Sequence, residues 1–159
     1  MKLAIIAIGG MRERHYREAC IEYLRRMRMM QPVEIIELPE EYIAEERNPA
    51  LVERALEREG RRILGCLRRG DVAVALTPRG KTMDSETFAE KLNPPSSEEG
   101  TRLVFIIGGS HGLGAEVYAH CQWELSFGPM TFPRQLARLM LLEQLYRGQM
   151  ILRGSAYHK

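Results

Sequence analysis

Cysteine is scarce in this chain of 159 residues: Cys20, Cys66 and Cys121 stand far apart. No C-x-x-C pair occurs, so neither a thiolate zinc site nor a disulfide framework is expected, and buried reduced thiols are the simpler reading. Long apolar runs are missing too. No stretch nears the roughly 20 residues of a membrane helix. The start MKLAIIAIGG carries one Lys and a short apolar run that meets two glycines, unlike a secretory leader. The expectation is a cytoplasmic protein with no membrane and no metal. A charge excess of one sign is also lacking, since 23 Lys+Arg face 21 Asp+Glu. Residues 101–159 alone lean basic, with 6 Lys+Arg against 3 Asp+Glu. That lean suits a phosphate-rich partner only weakly. Repeats and low-complexity segments are absent as well.

What remains fits one domain spanning 1–159, long enough to bury roughly 68–70% of the unfolded surface. Apolar β-branched runs predict strands over 2–8, 33–38, 71–77 and 102–107, with a short fifth strand over 123–127. Apolar residues at helical spacing predict helices over 15–30, 50–69, 115–121 and 132–152, the second weakened by Gly60. Asp84 or Ser85 can cap a short helix through Leu92. PEEYIAEERNP reads as a loop, PRGKT (78–82) as a turn and NPPSSEEG (93–100) as a linker. Strands alternating with helices imply an α/β parallel sheet with helices on both faces. Ligands then sit beyond the carboxyl ends of the strands. Three strand-end loops matter most: those after Thr77, after Ile107 and after Phe127.

Three motifs are tempting. GKT at 80–82 lacks the upstream glycine of a phosphate loop, because that position is Ala75 in a strand. GGSHGLG at 108–114 follows a buried strand and precedes a helix, but a dinucleotide fingerprint would need a glycine where Val117 stands. A tight turn and a ligand loop are equally compatible with its composition, and its His111 is more often idle than catalytic. In LSFGPMTFPRQLARLMLLEQLYR, Thr131 can cap a helix that has Pro133 at its start. Along it Arg134 and Arg138 share one face, as do Glu143 and Arg147. Surface ion pairs are the plain reading, and a buried Glu–Arg pair near the third loop is the sharper one. Clusters at Arg12, Arg14 and Arg17 and at Arg25, Arg26 and Arg28 read as solvated helix faces, with contacts to a phosphate-rich partner as the alternative.

Taken together, MKLAIIAIGG, IIGGSHGLG, LSFGPMTFPRQLARLMLLEQLYRG and the terminal AYHK resemble the ribosomal large-subunit methyltransferase H family of the SPOUT superfamily. The resemblance covers nearly the whole chain and is most specific in its last forty residues. It implies a SPOUT-type parallel sheet closed by a C-terminal deep trefoil knot, a topology that pattern alone does not propose. It implies a homodimer that uses S-adenosylmethionine to methylate N3 of a pseudouridine in the helix 69 loop of 23S ribosomal RNA, on assembled ribosomes. Carried over position by position, it makes Leu76, Gly108, Phe127, Gly128, Pro129, Met130, Thr131 and Phe132 cofactor-binding, largely through backbone. It makes His158, Tyr157, Arg147 and Glu143 the catalytic set. His158 is the candidate base by residue type, Tyr157 can stack on the target base, and Arg147, Arg153 and Lys159 can hold phosphates. It also implies that the tail of one subunit reaches the cofactor pocket of the other. The rival readings are a SPOUT enzyme with another RNA target, a non-catalytic ribosome-assembly factor, and a monomeric flavodoxin-like binder.

Overall fold

The apolar runs that read as strands build one sheet. The structure, a computed structural model, describes residues 1–94 and 100–159. Five strands, β1 (Lys2–Ile8), β2 (Val33–Leu38), β3 (Val72–Lys81), β4 (Arg102–Ile107) and β5 (Trp123–Leu125), run parallel in the order β2-β1-β4-β3-β5. β1 and β4 pair at the middle, and every residue of β4 is buried, which is why both read as unbroken apolar runs. Residues 95–99 lie outside the described residues, and so does most of the linker expected at 93–100.

The alternating faces of the strands feed two cores. On one face Leu3, Ile5, Val74 and Phe105 pack beneath α1 (Arg14–Met27), α3 (Ser85–Leu92) and α5 (Arg134–Leu152). On the other, Ala4, Ile6, Ala73 and Val104 meet α2 (Pro49–Cys66) and α4 (Ala115–His120). Helices therefore cover both faces, as the α/β pattern required. Asn48 caps α2 by accepting from the Ala50 and Leu51 amides, with Pro49 in the first turn. Asp84 caps α3 by accepting from the Thr87 amide at 2.7 Å. At the amino end of the sheet, buried Arg102 donates to Asp71 at 2.7 Å and to Glu34 at 3.0 Å, tying β4, β2 and the start of β3.

Several local expectations are corrected. PRGK is strand rather than turn: β3 shifts register after Leu76 and rejoins β5 at Lys81. Gly80 makes this possible, because a Cβ there would lie 2.7 Å from the Leu125 carbonyl carbon. β5 stops at Leu125, where the buried Ser126 turns the chain. α5 begins at Arg134 with Pro133 as its N-cap, so Thr131 caps nothing. Gly60 does not break α2. It lets α4 approach, since a Cβ would meet Val117 at 3.3 Å. Cys20 is buried but Cys66 and Cys121 are only half-buried, and all three are free. Burial pushes the Cys20 and Cys121 thiols up to about 11. Among the described residues no helix is long and apolar enough to cross a membrane.

Candidate functional site

Because β4, β3 and β5 are neighbours in the sheet, the loops after β4 and β5 converge with the β3 segment Leu76–Pro78, where that strand shifts register. They enclose a cavity of about 570 Å³. Leu76, Gly108, Phe127, Gly128, Met130, Thr131 and Phe132 line it, together with Ser110, Arg134 and Ala137. Pro129 does not. It sits exposed on the same loop, and Met130 is 73% exposed although it borders the cavity.

The glycines shape this space. After β4 the chain doubles back, with the Gly112 amide donating to the Gly109 carbonyl at 3.1 Å. A Cβ on Gly108 would lie 2.4 Å from the Gly112 oxygen, so only glycine permits the turn. Gly128 takes φ +120° and bends the third loop. Buried Ser126 joins β3 to the loop after β5: its hydroxyl accepts from the Gly128 amide at 3.0 Å and lies 3.0 Å from the Pro78 carbonyl. The walls are apolar side chains and backbone edges with few charges. That chemistry fits an adenosyl group held by main-chain contacts, and the Gly108 turn is a cradle that any side chain would fill.

Two arginines of α5 reach the ends of the other strands. Arg138, buried, donates to the Gly9 carbonyl at 2.9 Å and to Glu37 at 2.8 Å. Arg134 pairs with Glu40, which also accepts from the Ser110 amide at 3.0 Å and from its hydroxyl at 2.6 Å. Burial opposes ionisation of Glu40, yet the Ser110 and Arg134 hydrogen bonds outweigh it and hold the carboxyl down near about 2. Sequence reading placed Arg134 and Arg138 on one face but missed Glu40, Ser110 and Ser126.

The four residues of the expected catalytic set do meet, but at a different place. Glu143 and Arg147 form a partly buried pair at 2.5 Å, and the hydrogen bonds that the guanidinium donates to Glu143 raise the Arg147 pKa. Tyr157 donates to Glu143 at 3.3 Å and packs edge-on against Tyr146, with the Arg147 guanidinium 4.9 Å from its ring centre. Burial, with Tyr23 nearby, pushes the Tyr157 phenol up to about 12. Arg147 lies 3.2 Å from Nδ1 of His158, and Glu86 lies 2.8 Å from Nε2. A guanidinium can only donate, so Nδ1 accepts and Nε2–H donates to Glu86. Both ring nitrogens of His158 are thus engaged. Arg153 and Lys159 are exposed.

A C-terminal stop positions this cluster. Gly154 takes φ +67°, its amide donates to the Ile151 carbonyl at 2.9 Å, and the Ser155 amide donates to the Met150 carbonyl at 3.0 Å. This Schellman pair turns the tail back along α5. His158 and Glu143 thus border a second hollow of about 800 Å³, shared with Tyr23, Phe88, Leu139 and Met140. Phe127 stands between the two cavities and lines both. No tail residue lines the smaller one.

A family model described as a predicted SPOUT methyltransferase matches residues 1–158. The protein called Ribosomal RNA large subunit methyltransferase H in Lactococcus lactis subsp. lactis (strain IL1403) is 43% identical over 159 residues, covering 100% of both chains. Its namesake in Carboxydothermus hydrogenoformans is 41% identical, again over 100% of both. The crystal structure of a probable methyltransferase from Bordetella pertussis Tohama I superposes with a TM-score of 0.54 at 17% identity, covering 93% of this chain and 94% of that one. At that identity the likeness concerns the fold alone.

Proposed function

Since the chain belongs to the SPOUT methyltransferase family, we propose that it is a ribosomal RNA methyltransferase that uses S-adenosylmethionine. Its target in this reading is N3 of a pseudouridine in the helix 69 loop of 23S ribosomal RNA, on assembled ribosomes in the cytoplasm. The observation that carries the reading is the convergence of two strand-end loops and the register shift of β3 on one glycine-walled cavity. The full-length identity to relatives named for that activity supports the RNA substrate.

Leu76, Gly108 and the loop 127–132 would hold the cofactor, which supplies an electrophilic methyl on a cationic sulfonium. The apolar walls exclude water and align the transfer, an effect worth about 7–11 kcal/mol in well-oriented cases. N3–H of the pyrimidine ring is weakly acidic, so the site needs a proton acceptor and a cation for the ring anion. In this reading Nδ1 of His158 takes the proton once it parts from Arg147, and the guanidinium so released faces the anion. Tyr157 stacks on the base, and Arg153 and Lys159 meet phosphates.

The tail is folded beside Glu86 on its own chain, apart from the smaller cavity. That separation supports a homodimer in which the tail of each subunit serves the cavity of its partner. The apolar hollow between α1, α3 and α5 is the surface such a partner would cover. One domain, 1–159, carries the whole reading, with its C-terminal segment threaded as a deep trefoil knot.

The test incubates ribosomes from a strain lacking the protein with the pure protein and labelled S-adenosylmethionine, then maps the label by mass spectrometry. Label on the helix 69 pseudouridine is expected. Label elsewhere, or titration calorimetry showing no binding at millimolar cofactor, would sink the reading.

A further inference from the structure

We propose that Glu40 is a positioning residue for the smaller cavity, acting with Arg134 and Ser110 as a latch on the glycine loop 108–112. The proposal rests on that cavity being the cofactor site. Glycines 108, 109 and 112 carry no side chains to anchor the loop, and the backbone bond within it runs from Gly112 to Gly109. The tie comes from outside. One oxygen of Glu40 takes both the Ser110 amide and the Ser110 hydroxyl, and the other takes the Arg134 guanidinium. A single carboxylate thereby joins the segment after β2, the loop after β4 and the first residue of α5.

Two glycines make room for it. A Cβ on Gly109 would lie 2.9 Å from the Glu40 carboxylate, and a Cβ on Gly9 would lie 2.8 Å from the Arg134 guanidinium carbon. Glu41, next in the chain, turns the other way and pairs with Arg58 and Arg62. The latch has an electrostatic side as well. Arg134 lines the cavity, and a bare guanidinium there would repel a sulfonium cation. Glu40 neutralises it while remaining ionised across the neutral range.

Glu40→Ala removes the acceptors and unmasks the arginine. In titration calorimetry its Kd for S-adenosylhomocysteine is expected to rise about tenfold, the order set by losing charge-assisted hydrogen bonds. The rise for S-adenosylmethionine is expected to be larger, because that ligand carries the sulfonium charge. KM for the cofactor rises while kcat at saturating cofactor is retained. In cofactor-free protein the Ser110 amide exchanges with deuterium faster. Ser110→Ala keeps the amide contact and loses only the hydroxyl, so its effect is smaller, and the double variant binds no more weakly than Glu40→Ala alone. Wild-type affinity and wild-type exchange in Glu40→Ala overturn the latch, as does a lowered Tm with unchanged affinity. If the wild-type protein binds neither ligand, the cofactor reading fails instead, and Ser110 exchange still decides the latch.

Discussion

Replacing Gly108 by Ala tests the cavity at its tightest point. The new methyl would sit 2.4 Å from the Gly112 oxygen and 2.5 Å from its carbonyl carbon, both backbone atoms that cannot swing aside. Ordinary contact starts near 3.4 Å, so the returning strand of the loop must retreat by about 1 Å. Forcing a methyl into a packed place costs about 1–3 kcal/mol. If the loop can relax only by deforming the cavity, that cost appears in ligand affinity as a loss of about 5-fold to 150-fold. The assay is calorimetric titration with S-adenosylhomocysteine beside a thermal melt. Gly70→Ala is the control: Gly70 has φ +87° and open space around it, in the turn before β3 at the far end of the sheet. It incurs backbone strain of about 1–2 kcal/mol, lowering Tm and leaving affinity alone. A Gly108→Ala protein with wild-type affinity and wild-type Tm would refute the claim that this glycine shapes the cavity.

Two further outcomes are expected. Glu59 is buried at 6% exposure, and that burial raises its pKa although it accepts the Glu41 amide at 2.8 Å. Because its folded pKa exceeds its unfolded value, the stability it contributes is complete below the unfolded pKa and fades as pH rises through the folded one. Glu59→Gln, which keeps the acceptor, should therefore raise Tm at pH 7, and the gain should vanish below about pH 4, under the ordinary glutamate pKa; an equal gain at both pH values would contradict the assignment. Deleting residues 157–159 should abolish methylation of ribosomes while leaving circular dichroism, dimer mass by light scattering and most cofactor affinity intact. Full activity in the truncated protein would show that the tail is dispensable.

How much was legible follows from where each determinant sits. The bounds of β1 and β4 coincide with the apolar runs, because a strand buried on both faces is apolar nearly throughout, whereas the edge strand β2 keeps its expected bounds with Glu34 and Glu37 inside it. β3 ran past its expected end because Pro78 and Gly80, local signs of a turn, are overruled by the edge of β5 that Gly80 alone can approach. Thr131 had the right chemistry for a cap, but Pro133 begins the helix too late for the threonine to serve. Two of the three expected loops, those after β4 and β5, stand at strand ends, the third place is a register shift inside β3, and seven of the eight residues carried over by resemblance line the cavity. Pro129, exposed, is the eighth.

Residue order along the chain thus determined the α/β class, most element bounds, the glycine-rich strand ends and the family. Those properties depend on neighbours a few positions apart. Tertiary structure alone decided the rest. The strand order puts the β4, β3 and β5 ends side by side, the Glu40 carboxylate meets Ser110 and Arg134 from 70 and 94 positions away, and the tail lies against Glu86 from 72. Such contacts leave no period or motif in the chain, because a side-chain hydrogen bond needs only proximity in space.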